Sequence, residues 1–163
     1  MQNKGLVKTQ KFKDPKYVGD PINAVKIFNE KEVDEIMVLD IDATSKKHEP
    51  SLKMIEHLAN ECRMPLCYGG GIKTVKQAVE IFSLGVEKIA LSSAVIEKPE
   101  LISEIAQQVG NQSVIVVLDV KKRKLGNKYQ VWTHNAGLNT KLNPFEFAKK
   151  AEDLGAGEIV LNS

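Results

Sequence analysis

Short, nearly unbroken apolar runs alternate along this chain with longer stretches in which apolar residues return every three or four positions. The runs are Glu35 to Ile41, Pro65 to Tyr68, Lys88 to Leu91, Ser113 to Val120 and Glu158 to Leu161. Alternation with polar residues would mark strands with one wet face. Continuous runs mark strands covered on both faces, so a parallel sheet joined by crossover helices is predicted.

The intervening stretches predict helices with legible starts. Asp20-Pro21 opens INAVKIFNEK, Pro50-Ser51 opens LKMIEHLANE, Thr74 opens VKQAVEIFSL, Pro99 opens ELISEIAQQV and Asn143-Pro144 opens FEFAKKAEDL. A capping side chain followed by proline suits a first turn whose N–H groups have no intrahelical partner. Gly85, Gly110 and Gly155 are expected to end three of these helices. The rhythm breaks once, at Lys121 to His134, where Gly126-Asn127 separates a basic run from Tyr129-Gln130-Val131-Trp132 and predicts a hairpin.

Five strand-helix units, with Gly5 to Val7 read as the tail of an earlier strand, can close as an open doubly wound sheet or as a barrel. A complete (β/α)8 barrel takes about 250 residues. The 163 residues here favour the open sheet on length alone. With 42% apolar and 27% charged residues and no linker or low-complexity stretch, one globular domain over 1–163 is expected. A net charge of +2, with lysines scattered among acids, points away from nucleic acid. Cys62 and Cys67 lack a second pair or a histidine at ligand spacing and are expected to be thiols, not zinc ligands. No metal or organic cofactor is indicated. With no apolar leader and no run of about 18 apolar residues, no membrane association is expected, and the cytoplasm is the expected location.

In parallel α/β folds chemistry gathers at the carboxyl ends of the strands. Those ends carry Asp40, Gly69-Gly70-Gly71, Ser92-Ser93, Asp119 and Asn162-Ser163. A glycine triplet before a helix lets backbone N–H groups approach an anion, which suits phosphate, although a tight turn without ligand has the same sequence. Ser92 and Ser93 could close on the same oxyanions. Asp119 ends a run of five apolar residues, so its carboxyl should sit in a perturbing environment, and Asp40 holds the equivalent place after Ile36 to Leu39. The two could face one mouth and either could do acid or base work, while Asp119 could instead cap the following loop. At the other ends, Glu35, Lys88 and Glu158 stand at the first positions of strands, where charge ordinarily serves stability.

Taken in order and spacing, Glu35 to Ile41, Gly69 to Ile72, Lys88 to Ala94, Val116 to Asp119 and Gly155 to Ile159 resemble the cyclase subunit family of imidazole glycerol phosphate synthase. The resemblance implies a (β/α)8 barrel. With ammonia from a glutaminase docked on the face at the strands' amino ends, it would convert a phosphorylated ribulosyl-formimino aminoimidazole carboxamide nucleotide. The products would be imidazole glycerol phosphate and an aminoimidazole carboxamide nucleotide. By position it implies that Asp119 is catalytic, that Lys8 in the first loop contacts substrate, and that Gly70, Gly71, Ser92, Ser93, Asp40 and Asn162 line the substrate and phosphate site. Glu35, Lys88 and Glu158 would be three of four gate charges for ammonia. By the same register the fourth gate residue and a second catalytic aspartate would fall before Met1, and the last strands after Ser163. The expectation is therefore an incomplete barrel holding about strands 1 to 6, truncated at both ends.

Two departures keep other readings open. Ser92-Ser93 stands where the family more often has Asn-Thr. Phe12 to Asp20 and Asp42 look more like a paralogous branch that delivers ammonia to a sugar-amidating enzyme of surface polysaccharide synthesis. A chain short of strands could also be inactive alone and prone to edge pairing.

Overall fold

Three helix starts rest on a side chain that accepts an N–H left over in the first turn. Asp20 accepts from Asn23, Thr74 from Gln77 and Asn143 from Phe145, with Pro21 and Pro144 beginning their helices. Ser51 caps without such a bond. The computed structural model describes residues 1–10, 13–123, 128–134 and 137–163, and the chain falls into two compact units, Met1–Ile89 and Ala90–Ser163.

The first unit begins with β1 (Leu6–Gln10) and β2 (Lys13–Gly19), an antiparallel ribbon. This corrects the expectation that Gly5 to Val7 end an earlier strand: Gly5 bridges back to Gln2, and the strand starts at Leu6. Pro15 and the left-handed Asp14 (φ 49°) hide β2 from a propensity reading, because both are rare inside strands. Then follow α1 (Pro21–Glu30), β3 (Ile36–Leu39), α2 (Asp42–Ser45), α3 (Leu52–Glu61), β4 (Leu66–Gly69) and α4 (Val75–Ser83). β3 and β4 pair in parallel, Ile36 opposite Leu66 and Leu39 opposite Gly69. Val25 of α1, Ile55 and Leu58 of α3 and Ile81 of α4 are buried. Asn29 joins α1 to the end of α3 with both halves of its amide: Nδ2 donates to Glu61 O at 2.8 Å, and Oδ1 accepts from Arg63 N at 3.0 Å.

The unit boundary falls within β5 (Lys88–Leu91). The second unit continues with α5 (Ser93–Glu97), α6 (Glu100–Val109), β6 (Val114–Lys122), β7 (Tyr129–Thr133), β8 (Leu138–Asn139), α7 (Pro144–Asp153) and β9 (Glu158–Asn162). β6 is its centre. Val114 to Leu118 are all buried, each such side chain adding about 1.5–3 kcal/mol of burial. β9 runs parallel to β6, and β7 antiparallel to it. The expected hairpin is therefore present, while its Gly126-Asn127 turn lies outside the described residues. Cover on both faces holds for β4 and for the apolar part of β6 but not for β9, where Leu161 is 60% exposed. Among the described residues β9 pairs with β6 alone, and a strand with one neighbour is less covered. The strand-helix alternation is that of part of a (β/α)8 barrel. Gly85, Gly110 and Gly155 follow their helices with φ of 94°, 88° and 101°. Gly110 pairs that angle with an extended ψ of 146°, so it turns the chain without a left-handed cap. No helix among the described residues is long and apolar enough to cross a membrane.

The polar tie at the end of β3 was not foreseen as structural. Asp42, 4% exposed, accepts from Asn3 N and from Lys46 Nζ, both at 2.8 Å, and so fastens the chain before β1 to α2. Burial pushes this carboxyl up, but the Lys46 ammonium and the Asn3 N–H outweigh it and hold it below its ordinary value. A depressed folded value means stability that is present at neutral pH and lost as pH falls through it. Asp42→Asn is expected to cost about 1–2 kcal/mol at pH 7, measured by urea unfolding. The gap to the parent should shrink as both are acidified below the ordinary carboxylate range.

Candidate functional site

In the first unit, the carboxyl ends of β3 and β4 are built against each other. Asp40 N donates to Gly69 O at 2.7 Å, and Asp42 N donates to Asp40 Oδ1 at 3.0 Å, so the Asp40 side chain is aimed by the backbone that follows it. His48 Nε2 lies 3.9 Å from Asp40 Oδ2. Gly70 and Gly71 have a structural reason to be glycine. A Cβ on Gly70 (φ 120°) would come within 2.4 Å of Asp40 O, and one on Gly71 (φ 76°) within 3.0 Å of Ala43 Cβ and His48 O.

The glycines lead into the helix that Thr74 was expected to open, but not directly. Ile72, Lys73 and Thr74 intervene, Thr74 caps α4, and Gln77 Oε1 accepts from Lys73 N at 2.8 Å. Lys8 lies on β1 and not in an open loop; it is exposed and paired with Lys16 of β2. Like charges directly opposed across a ribbon cost stability, so local folding does not explain the pair. At the other end of the strands, Lys88 Nζ contacts Glu35 Oε2 at 2.8 Å with both side chains partly exposed.

In the second unit, Asp119 follows the buried run Val114 to Leu118 of β6. Parallel register sets it opposite Asn162, whose Nδ2 donates to Asp119 Oδ1 at 2.9 Å. Burial raises the Asp119 carboxyl above its ordinary value, while Asn162 and the nearby Lys121 ammonium pull it part of the way back. Such a group can hold or release a proton closer to neutrality than a free aspartate. Ser92 and Ser93 form the start of α5: Ser92 O accepts from Val95 and Ile96, and Ser93 Oγ lies 3.5 Å from His134 N. Glu158 opens β9 opposite Ile115 and is exposed. From sequence the basic run at Lys121 reads as a solvated hairpin arm, with a phosphate-facing role as the less favoured option, and its pairing with Trp132 is not visible, although the Lys121 ammonium sits 4.5 Å from the indole centre. Their cross-strand placement follows from hairpin register, which a basic run does not display.

The family profile described as histidine biosynthesis protein matches residues 1–163. The chain belongs to that family. A protein of Vibrio vulnificus, provisionally named an imidazole glycerol phosphate synthase subunit, is 60% identical over 99% of this chain and 62% of its own length. A protein of Leptospira borgpetersenii with the same kind of provisional name is 55% identical over 100% of this chain and 64% of its own. The imidazole glycerol phosphate synthase subunit of Petrotoga mobilis is 39% identical over 97% of this chain and 63% of its own. The chain thus spans a little under two thirds of the length of these relatives in the family.

Two substitutions probe the geometry. Gly70→Ala should destabilise by about 2–4 kcal/mol in thermal or urea unfolding, because backbone at Asp40 must move. Asn162→Ala should raise the Asp119 midpoint, read by carboxyl-carbon NMR titration. A carboxyl raised on folding contributes stability below its unfolded value and loses it as pH rises through the folded one. That loss should therefore extend to higher pH in the variant.

Proposed function

We propose that this chain is the larger part of a cyclase subunit of the imidazole glycerol phosphate synthase type, a lyase that takes ammonia from a glutaminase. The observation that carries the reading is Asp119: a carboxyl directly after the buried run of β6, raised by burial and fixed by Asn162. In this reading it moves a proton at the reacting end of a phosphorylated substrate. Asp40, aimed by the Asp42 N–H, lines the same substrate's path. Lys8, with Lys16 opposite, supplies cationic charge for an anionic substrate. Gly70 and Gly71 of the first unit, and Ser92 and Ser93 of the second, each offer N–H or hydroxyl groups of the kind that receive phosphate. The Glu35–Lys88 pair supports a gate at the strands' amino ends, with the glutaminase docked outside it, and Glu158 at the first position of β9 is a further candidate gate charge.

Turnover of the ribulosyl nucleotide by the full-length protein with ammonium salt tests this. Imidazole glycerol phosphate should form, and Asp119→Asn should lower kcat/KM by at least about 100-fold, the usual contribution of a positioned acid or base. Its acid limb in the parent should lie above the ordinary carboxylate range, in keeping with the raised Asp119. Glutaminase stimulation without cyclised product would refute the proposal and support ammonia delivery to a sugar-amidating enzyme instead.

A further inference from the structure

The second unit sets a row of side chains on one sheet face. Residues paired directly across neighbouring strands point the same way, and Asp119 is paired with Asn162 on β9 and with Trp132 on β7. Lys121, two positions along β6, shares that face, and its Nζ stands 4.5 Å from the centre of the Trp132 ring. A lysine ammonium rides on a flexible stem that carries about 2 kcal/mol of rotamer freedom, so it has no fixed place beside a carboxylate unless something holds it. An indole face offers about 0.5–2 kcal/mol for that purpose.

We propose that Trp132 is a positioning residue that acts through Lys121, its ring holding the ammonium in one place beside Asp119 while Asn162 holds the carboxyl from the opposite strand. Two other described side chains near this face have partners of their own. Gln130, paired with Lys121, is uncharged and accepts from Asn139 Nδ2 at 3.0 Å. His134, just past the end of β7, has Nδ1 3.1 Å from Thr133 Oγ1. Among the described residues, Lys121 is a cation whose field reaches Asp119 and opposes the effect of burial. The consequence for catalysis rests on the cyclase reading; the arrangement of the three side chains does not.

Carboxyl-carbon NMR titration of Asp119 in the whole chain tests the proposal. Lys121→Met should raise the Asp119 midpoint by about half a pH unit, the loss of one screened neighbouring cation. Trp132→Leu should raise it by a similar amount, Trp132→Phe by much less, and Trp132→Leu should add nothing once Lys121 is Met. A merely structural tryptophan would move the midpoint equally with and without Lys121, or not at all, and either result overturns the proposal. Should Trp132→Leu fail to fold, the unsubstituted protein decides. The Lys121 ε-methylene protons should be displaced upfield by the indole ring current, and an unshifted resonance overturns the proposal. Absence of cyclised product, by contrast, would remove the cyclase reading and leave this titration unaffected.

Discussion

A carboxyl that directly follows a fully buried run of a strand has lost much of its water and must be compensated by its neighbours. Val114 to Leu118 exclude solvent along β6, and Asp119 is the first polar side chain after them. Burial alone favours its neutral form, so everything beside it is a question of how much charge is restored. Parallel register brings the Asn162 amide from β9, and antiparallel register brings Trp132 from β7. The same central strand therefore supplies the core of its unit and the chemical environment of its most perturbed acid.

The first unit meets a comparable demand by different means. Asp42 is nearly out of reach of water yet remains below its ordinary value, because an ammonium and a backbone N–H reach it directly. Its own N–H in turn aims Asp40. Here the compensation is local in sequence, Asp42 and Lys46 being one helical turn apart, and it joins the chain preceding β1 to the loop after β3.

Sequence made the periodic parts legible. Strands announced by continuous apolar runs appear where expected, with β5 matching Lys88 to Leu91 and β6 running on to Lys122. Helices marked by Asp20-Pro21 and Asn143-Pro144 begin at those prolines, since capping is a short-range interaction written in adjacent residues. The β1–β2 ribbon was not legible, because exposed strands carrying Pro15 and a left-handed Asp14 have no apolar signature. Asp119 stood out as an acid closing an apolar run, whereas its setting did not, because Asn162 is 43 residues away and meets it only through strand register. The need for glycine at 70 and 71 was read as room for a ligand, and the contacts with Asp40 and His48 that also require it depend on how two loops cross.

The lysine-stacked indole on β7 has one further consequence. Trp132 is the only tryptophan in the chain, so emission excited at the red edge of protein absorption comes from this hairpin alone. Whatever opens β6 from β7, or moves the ammonium off the ring, changes the light the molecule gives out. The fold thus carries its own optical probe one strand away from the Asp119 carboxyl.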